Sequence, residues 1–359
     1  MRVLFLNQYF PPDPAPTGIL FREIADELVR EGHTVDFVDA AQDYRGSQQK
    51  GGRMRRELAA LRRMLQAGKA RPRADVVVSG SSPPCLAVFA GWVARKHRAR
   101  HLHWAMDVYP EIAAALGEIR GRSLVARMTG WLMGRAYRGC ARVVALDGDM
   151  ASVLRKYRVE PEIIRPWVFQ SILDQPLPLA EPEQPWTWIY SGNLGRAHEW
   201  ETLLLAQQLL EQRGMDARLL FQGGGPSWPL AQARAAELRL QNIEWRGYAP
   251  ESELRSALLR GHVLVATQRP EVRGLLWPSK LALMRSLPRA LAFVGPTDGA
   301  IASELAGFPH AAAFVPGDAS GLADWLTARR SGGTMGRPSD PVAERAQALA
   351  GWTKLVTSA

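Results

Sequence analysis

Five short segments combine glycines, cations and carboxylates in ways that suit a phosphorylated or hydroxylated ligand. In Ser191-Gly192-Asn193-Leu194-Gly195-Arg196-Ala197-His198, Gly192 and Gly195 free the backbone and Arg196 and His198 add positive character. The segment follows an apolar strand pattern and opens a helical one, and a helix N-terminus beside a cation is a diphosphate site. The plainer alternative is a glycine turn with a surface Arg and His. A second segment, Gln222-Gly223-Gly224-Gly225-Pro226, is a loop across which something large can approach, though such loops also serve as simple connectors. A third, Trp277-Pro278-Ser279-Lys280-Leu281, puts Lys280 near the start of a helix, where the dipole disfavours a cation and an anionic ligand would compensate.

The other two lie in the first half. Asn7 to Gly18 (NQYFPPDPAPTG) joins a strand to a helix; Thr17 can cap that helix and Gly18 permits close backbone approach. Asp107-Val108-Tyr109-Pro110-Glu111 supplies two carboxylates at a strand end, with Asp107 as an N-cap and Glu111 as a first-turn acid as the structural alternative.

The elements that must position these segments are strands alternating with amphipathic helices. Strand patterns fall at 2–7, 34–39, 74–80, 100–106 and 141–146, and the first helix runs over 18–30. Residues 174–186 hold four prolines and no periodicity, which reads as a linker. The rhythm then restarts with strands at 187–191, 217–222, 243–246, 262–267, 290–294 and 312–315, and a last helix over 341–355 follows a Gly/Pro-rich break at 331–338. Alternation of this kind specifies parallel sheets, with ligands beyond the carboxyl ends of the strands.

The chain has 359 residues and a net charge of +10, enough for two domains and a bias toward anionic partners. No apolar run approaches the ~18 residues of a membrane span, and the N-terminus enters a strand directly, with no signal-peptide pattern. Cys85 and Cys140 read as small core residues in a reducing compartment, so a cytoplasmic location is expected. Residues 53–73 carry eight Lys or Arg against one Glu, with Leu58, Leu61 and Leu65 at helical spacing. This is either a basic amphipathic helix for an anionic membrane surface, helped by the basic run 95–100, or a solvated helix with its stripe on the core. The basic residues lack interleaved aromatics, so nucleic acid is not expected.

In their order, the motifs NQYFPPDPAPTG, MDVYPE (106–111), YSGNLGRAHEWETLL (190–204), WPSKL and FVGPTDG resemble glycosyltransferase family 4, and they are similar to bacterial members that build O-antigen or exopolysaccharide. The resemblance implies an α/β GT-B fold, two Rossmann-like domains facing each other across a cleft. Residues 1–173 would be the acceptor domain, 174–186 a hinge, 187–340 the nucleotide-sugar domain, and 341–359 a helix crossing back to the first domain. It implies a retaining glycosyltransferase, hexosyl- or N-acetylhexosaminyl-type. Such an enzyme moves a sugar from a nucleotide diphosphate, UDP favoured over GDP and with no metal, to a lipid-linked or polysaccharide hydroxyl in cell-surface polysaccharide biosynthesis. Asp107, Lys280 and Arg196 would be catalytic. Thr17, Gly18, Gly192, Asn193, Gly195, His198, Gly223, Gly224, Arg246, Tyr248, Glu271 and Ser279 would bind donor or substrate. Two departures stand out. Asn193 and His198 occupy positions where many members have Arg and Lys, and Leu275 and Leu283 occupy those of a common Glu pair. The missing acids keep a non-catalytic nucleotide-sugar-binding subunit in view, and the two-half architecture keeps a GT-B sugar epimerase.

Overall fold

The computed structural model of the chain describes residues 1–13, 15–40, 53–176, 182–330 and 338–358. The first sheet contains β1 (Arg2–Leu6), β2 (Thr34–Val38), β3 (Val76–Ser79), β4 (Arg100–Trp104), β5 (Arg142–Ala145) and β6 (Glu162–Ile163), ordered β2-β1-β3-β4-β5-β6. The second contains β7 (Trp186–Asn193), β8 (Ala217–Gly224), β9 (Ile243–Arg246), β10 (Val263–Thr267), β11 (Ala290–Val294) and β12 (Ala311–Phe314), ordered β12-β11-β10-β7-β8-β9. Every strand pair in both is parallel. Val76, Val77 and Val78 are fully buried, as a strand covered by helices on both faces requires. The two-residue β6 carries no apolar run and has no periodic signature.

Two compact units result. Unit 1 is formed by 1–169, 274–277 and 344–359, and unit 2 by 170–273 and 278–343. The core of unit 1 contains Trp104, stacked on Trp167 at 5.7 Å and tilted against Trp352 at 4.8 Å. Trp352 comes from the last helix, Pro341–Thr357, and Arg345 of that helix pairs with Glu23 at 2.9 Å. The core of unit 2 is built around Trp188, Phe221, Val263 and Leu322. Of the Pro-rich segment, 177–181 lie outside the described residues. Before them, the helix Gln170–Leu173 already belongs to unit 2, where Ser171 donates to Glu251 at 2.7 Å. Of the break at 331–338, only Ser339's neighbour Pro338 falls within the described residues.

Three local expectations change. The first helix starts at Pro16 with Ala15 at its N-cap, so Thr17 sits inside the first turn instead of capping it. Cys85 and Cys140 are free but half-buried, not core residues. The helix of the basic segment is Arg53–Ala70, and its apolar stripe is on the core: Ala60, Leu61 and Met64 are buried among Leu4, Leu6 and Val93. Of the stripe, Leu58 stays 41% exposed.

Candidate functional site

In each sheet the strand order reverses beside the first strand of the unit, and the loops leaving the two flanking strands diverge there. In unit 2 the reversal lies between β7 and β10. The β7 loop is tied to the end of β10 by His198, whose Nδ1 lies 3.1 Å from the Thr267 carbonyl. A carbonyl can only accept, so Nδ1 carries the proton. Burial, reinforced by Lys280, lowers the His198 pKa and keeps the ring neutral with Nε2 bare. The positive character expected of His198 is thus absent; it offers an acceptor.

The cation of this site is Lys280. Its Nζ donates to Ser191 Oγ at 3.3 Å and its stem reaches within 4.0 Å of a Cβ placed on Gly192. Burial lowers the ammonium to about 8, because the site withholds water without supplying a carboxylate. Beside Ser191 in the β7–β8 register stands Gln222, whose Oε1 is buried with no partner among the described residues. Ser191, Gln222 and Thr267 were missed as site residues. Their only signal in the sequence was position, the carboxyl ends of the central strands.

The backbone amides of Arg196 and Ala197 donate to no protein acceptor among the described residues, and the Arg196 side chain is exposed without an ion pair among them. The helix that follows begins at Glu201, three residues beyond His198. Its N-terminus is already filled: the Glu199 carboxylate accepts from the Thr202 amide at 3.0 Å and from the Thr202 hydroxyl. The expected helix-dipole contribution at 192–198 therefore gives way to two loop amides and Lys280.

The glycines of 223–225 have a packing reason. A Cβ on Gly223 would lie 1.9 Å from the Gly192 carbonyl, and one on Gly225 2.3 Å from Asn193 Oδ1. What approaches so closely is the end of β7. Gly224 lies under Tyr248, whose hydroxyl reaches Asn193 Oδ1 at 3.5 Å while the ring stays 58% exposed. That exposure puts an aromatic ring within reach of a flat ligand. Gly195 closes the turn, its amide donating to the Asn193 carbonyl at 2.8 Å.

Other candidates are engaged elsewhere. Arg246 is paired with Glu183 at 3.1 Å and with Glu244, in a network that also holds Arg218; it is not a free base-binding residue. Its chain neighbour Trp245 stacks on Phe221 at 4.6 Å and packs against the core. Glu271 is exposed and pairs with Arg269 at 3.2 Å. Ser279 is exposed next to Lys280. Leu275 and Leu283 are buried, 7% and 4% exposed, so each occupies an apolar environment where an acid would be desolvated.

In unit 1 the reversal lies between β1 and β3. Asn7, 1% exposed, donates to the Tyr9 carbonyl at 2.9 Å and to the Thr17 hydroxyl at 3.4 Å, so Thr17 helps fix the loop. A Cβ on Gly18 would meet the Tyr9 carbonyl at 2.7 Å, and its amide is used by Ala15. Both residues shape the loop that borders the crevice. Asp107 is anchored through its amide to Ser81 Oγ at 2.9 Å, and burial raises its carboxyl to about 6. It is not an N-cap: the next helix starts at Glu111 with Pro110 at the cap. Glu111 has a structural partner, since its carboxylate accepts the Tyr157 hydroxyl at 2.5 Å.

This architecture is that of the GT-B glycosyltransferases. Residues 17–168 match the model of Glycosyltransferase Family 4. No curated relative matches the chain. Among solved structures, sucrose-phosphate synthase of Thermosynechococcus elongatus superposes with a TM-score of 0.67 at 14% identity, over 99% of this chain and 94% of that one. The lipopolysaccharide outer core galactosyltransferase WaaB superposes at 0.62 with 12% identity, covering 100% and 96%. Anabaena HepE in complex with UDP and glucose also superposes at 0.62, with 13% identity, covering 99% and 95%. These likenesses establish the fold.

Proposed function

We propose that the chain transfers a sugar from a nucleotide diphosphate, UDP in preference to GDP, to a hydroxyl of a lipid-linked or polysaccharide acceptor in cell-surface polysaccharide biosynthesis. The observation that carries this reading is Lys280. It is a half-buried ammonium without a carboxylate among the described residues, held on Ser191 at the end of β7, the strand that leads into the loop with the spare amides of Arg196 and Ala197. Such a group is stabilised by an anion, and a departing diphosphate is the anion that glycosyl transfer produces. That HepE was solved with UDP and glucose supports a uridine donor.

In this reading Lys280, Arg196 and the loop amides stabilise charge on the leaving diphosphate as the sugar carbon passes through an oxocarbenium-like state. Neutral His198 accepts from a donor hydroxyl through Nε2. Tyr248 stacks on the base or sugar, and Gln222 accepts one hydrogen bond. Transfer proceeds with retention, the leaving phosphate taking the acceptor proton on the same face, while Asp107 orients the acceptor. No metal is required, because cations and dipoles of the chain carry the charge. The reaction is cytoplasmic.

Buried Leu275 and Leu283 favour one second reading, a subunit that binds nucleotide sugar without turning it over. A donor panel with a saccharide acceptor mixture separates the two. Transfer by the wild type that falls in Lys280→Ala and Arg196→Ala supports the enzyme. Calorimetric donor binding with no transfer supports the subunit. Equal transfer by wild type and both variants contradicts the site.

A further inference from the structure

Helices Leu86–His97 and Leu124–Arg138 of unit 1 pack side by side and expose an apolar surface that the unit does not use. On the second helix, Leu124, Met128 and Trp131 follow one another at helical spacing, 79%, 56% and 60% exposed. Val125 (53%) widens this stripe, and Trp92 of the first helix is 42% exposed. Between the helices runs a groove of about 520 Å³ lined by Trp92, Trp131, Leu132, Val88 and Ala87. His101 is part of its lining, and burial lowers that ring to about 4, so it brings no charge there at neutral pH.

Cations surround this surface. Arg95, Arg98 and Arg135 line the groove, and Lys96, Arg122 and Arg127 are exposed around it. The Arg135 guanidinium lies 5.8 Å from the centre of the Trp131 ring. Neither helix contains an Asp or Glu, and no ion pair to these six cations is found among the described residues. Exposed aromatic and aliphatic side chains ringed by unpaired arginines suit one environment closely: the headgroup level of an anionic bilayer, where the rings sit among the carbonyls and the guanidiniums meet phosphates. No helix among the described residues is long and apolar enough to cross a membrane, so contact through this face would be peripheral.

We propose that this face, with Trp131, Met128 and Leu124 at its centre, docks unit 1 onto an anionic phospholipid bilayer, the groove receiving one acyl chain. The surface differs from the basic helix Arg53–Ala70, whose Leu61 and Met64 are packed in the core. It is also independent of the transfer reaction, since docking needs no donor.

Flotation of the full chain with vesicles tests it. Pure phosphatidylcholine is compared with equal parts of phosphatidylcholine and phosphatidylglycerol. The proposal expects binding to the mixed vesicles and about tenfold weaker binding to the neutral ones. Met128→Ser with Trp131→Ser should weaken binding to the mixed vesicles by about tenfold or more, because apolar area is lost. Arg95→Gln with Arg135→Gln should erase the preference for the anionic lipid. Arg62→Gln with Arg63→Gln, on the other helix, should change little. These side chains are exposed, so circular dichroism should match the wild type for every variant. Absence of binding, equal binding to both vesicle types, or binding untouched by the Met128/Trp131 pair overturns the proposal. So does concentration-dependent self-association that this pair abolishes while lipid binding is absent, since the face would then join two copies of the chain.

Discussion

The Lys280 ammonium donates to the Ser191 hydroxyl at 3.3 Å and has no carboxylate partner among the described residues. A lone hydroxyl does not offset the water that burial removes, which is why the ammonium falls to about 8. An arriving diphosphate would supply what is missing. Removing the ammonium in Lys280→Ala should lower kcat/KM by about 10²- to 10³-fold, the range for one preorganised charge-stabilising donor. Exposed Arg196, screened by solvent, should matter less, about tenfold in Arg196→Ala. Steady-state kinetics on the two variants measures both.

The pH dependence follows from Asp107 and Lys280. Asp107, raised to about 6, must be ionised to accept from an acceptor hydroxyl, so activity should rise through pH 6. Lys280, lowered to about 8, must be protonated, so activity should fall through pH 8. A kcat/KM profile should be bell-shaped between these values. Asp107→Asn should remove the acid limb, and Lys280→Arg should move the alkaline limb upward.

Asp107 should also affect stability. Its folded pKa lies above the unfolded value near 4. Between those values the folded chain holds more protons than the unfolded one, so stability falls as pH rises from about 4 to 6 and the cost remains at pH 7. Asp107→Asn should therefore raise stability at pH 7 by about 3 kcal/mol and leave it nearly unchanged at pH 4. Urea denaturation at the two pH values checks this; stabilisation at pH 4 alone would contradict it.

Gly223 has φ +141°, and the nearest atom to an added Cβ would be the Gly192 carbonyl at 1.9 Å. Gly223→Ala must push β7 and β8 apart where the site is built. A loss of about 3 kcal/mol or more in stability is expected, together with loss of nucleotide-induced thermal stabilisation.

Leu283 is 4% exposed in unit 2. Leu283→Glu should destabilise the chain by about 3 kcal/mol or more, since the new carboxylate is buried without a partner. It should not raise transfer activity. Thermal melting and a transfer assay on the same preparation measure both effects.

Much of this was legible in the sequence because strand period and loop chemistry are local signals. Eleven of the twelve strands follow from apolar runs such as Val76-Val77-Val78, and the loops after them hold Lys280, Arg196 and Asp107. What was not legible is set by partners distant in sequence. Arg246 looks like a ligand cation until Glu183, 63 residues away, is seen against it. His198 looks cationic until the Thr267 carbonyl fixes its proton. The stripe of Arg53–Ala70 looks as ready for lipid as for the core until Leu61 and Met64 are found packed among Leu4 and Val93. Periodicity gives a helix an apolar face but does not say what meets it.

The central claim is a nucleotide-sugar site on unit 2 with Lys280 as its cation. Its most direct test is calorimetric titration of the wild type and Lys280→Ala with UDP and GDP at pH 7. The account predicts that UDP binds the wild type more tightly than GDP and that Lys280→Ala weakens UDP binding by about tenfold or more. UDP binding of equal strength in the two proteins, or no binding of either nucleotide to the wild type, would contradict it.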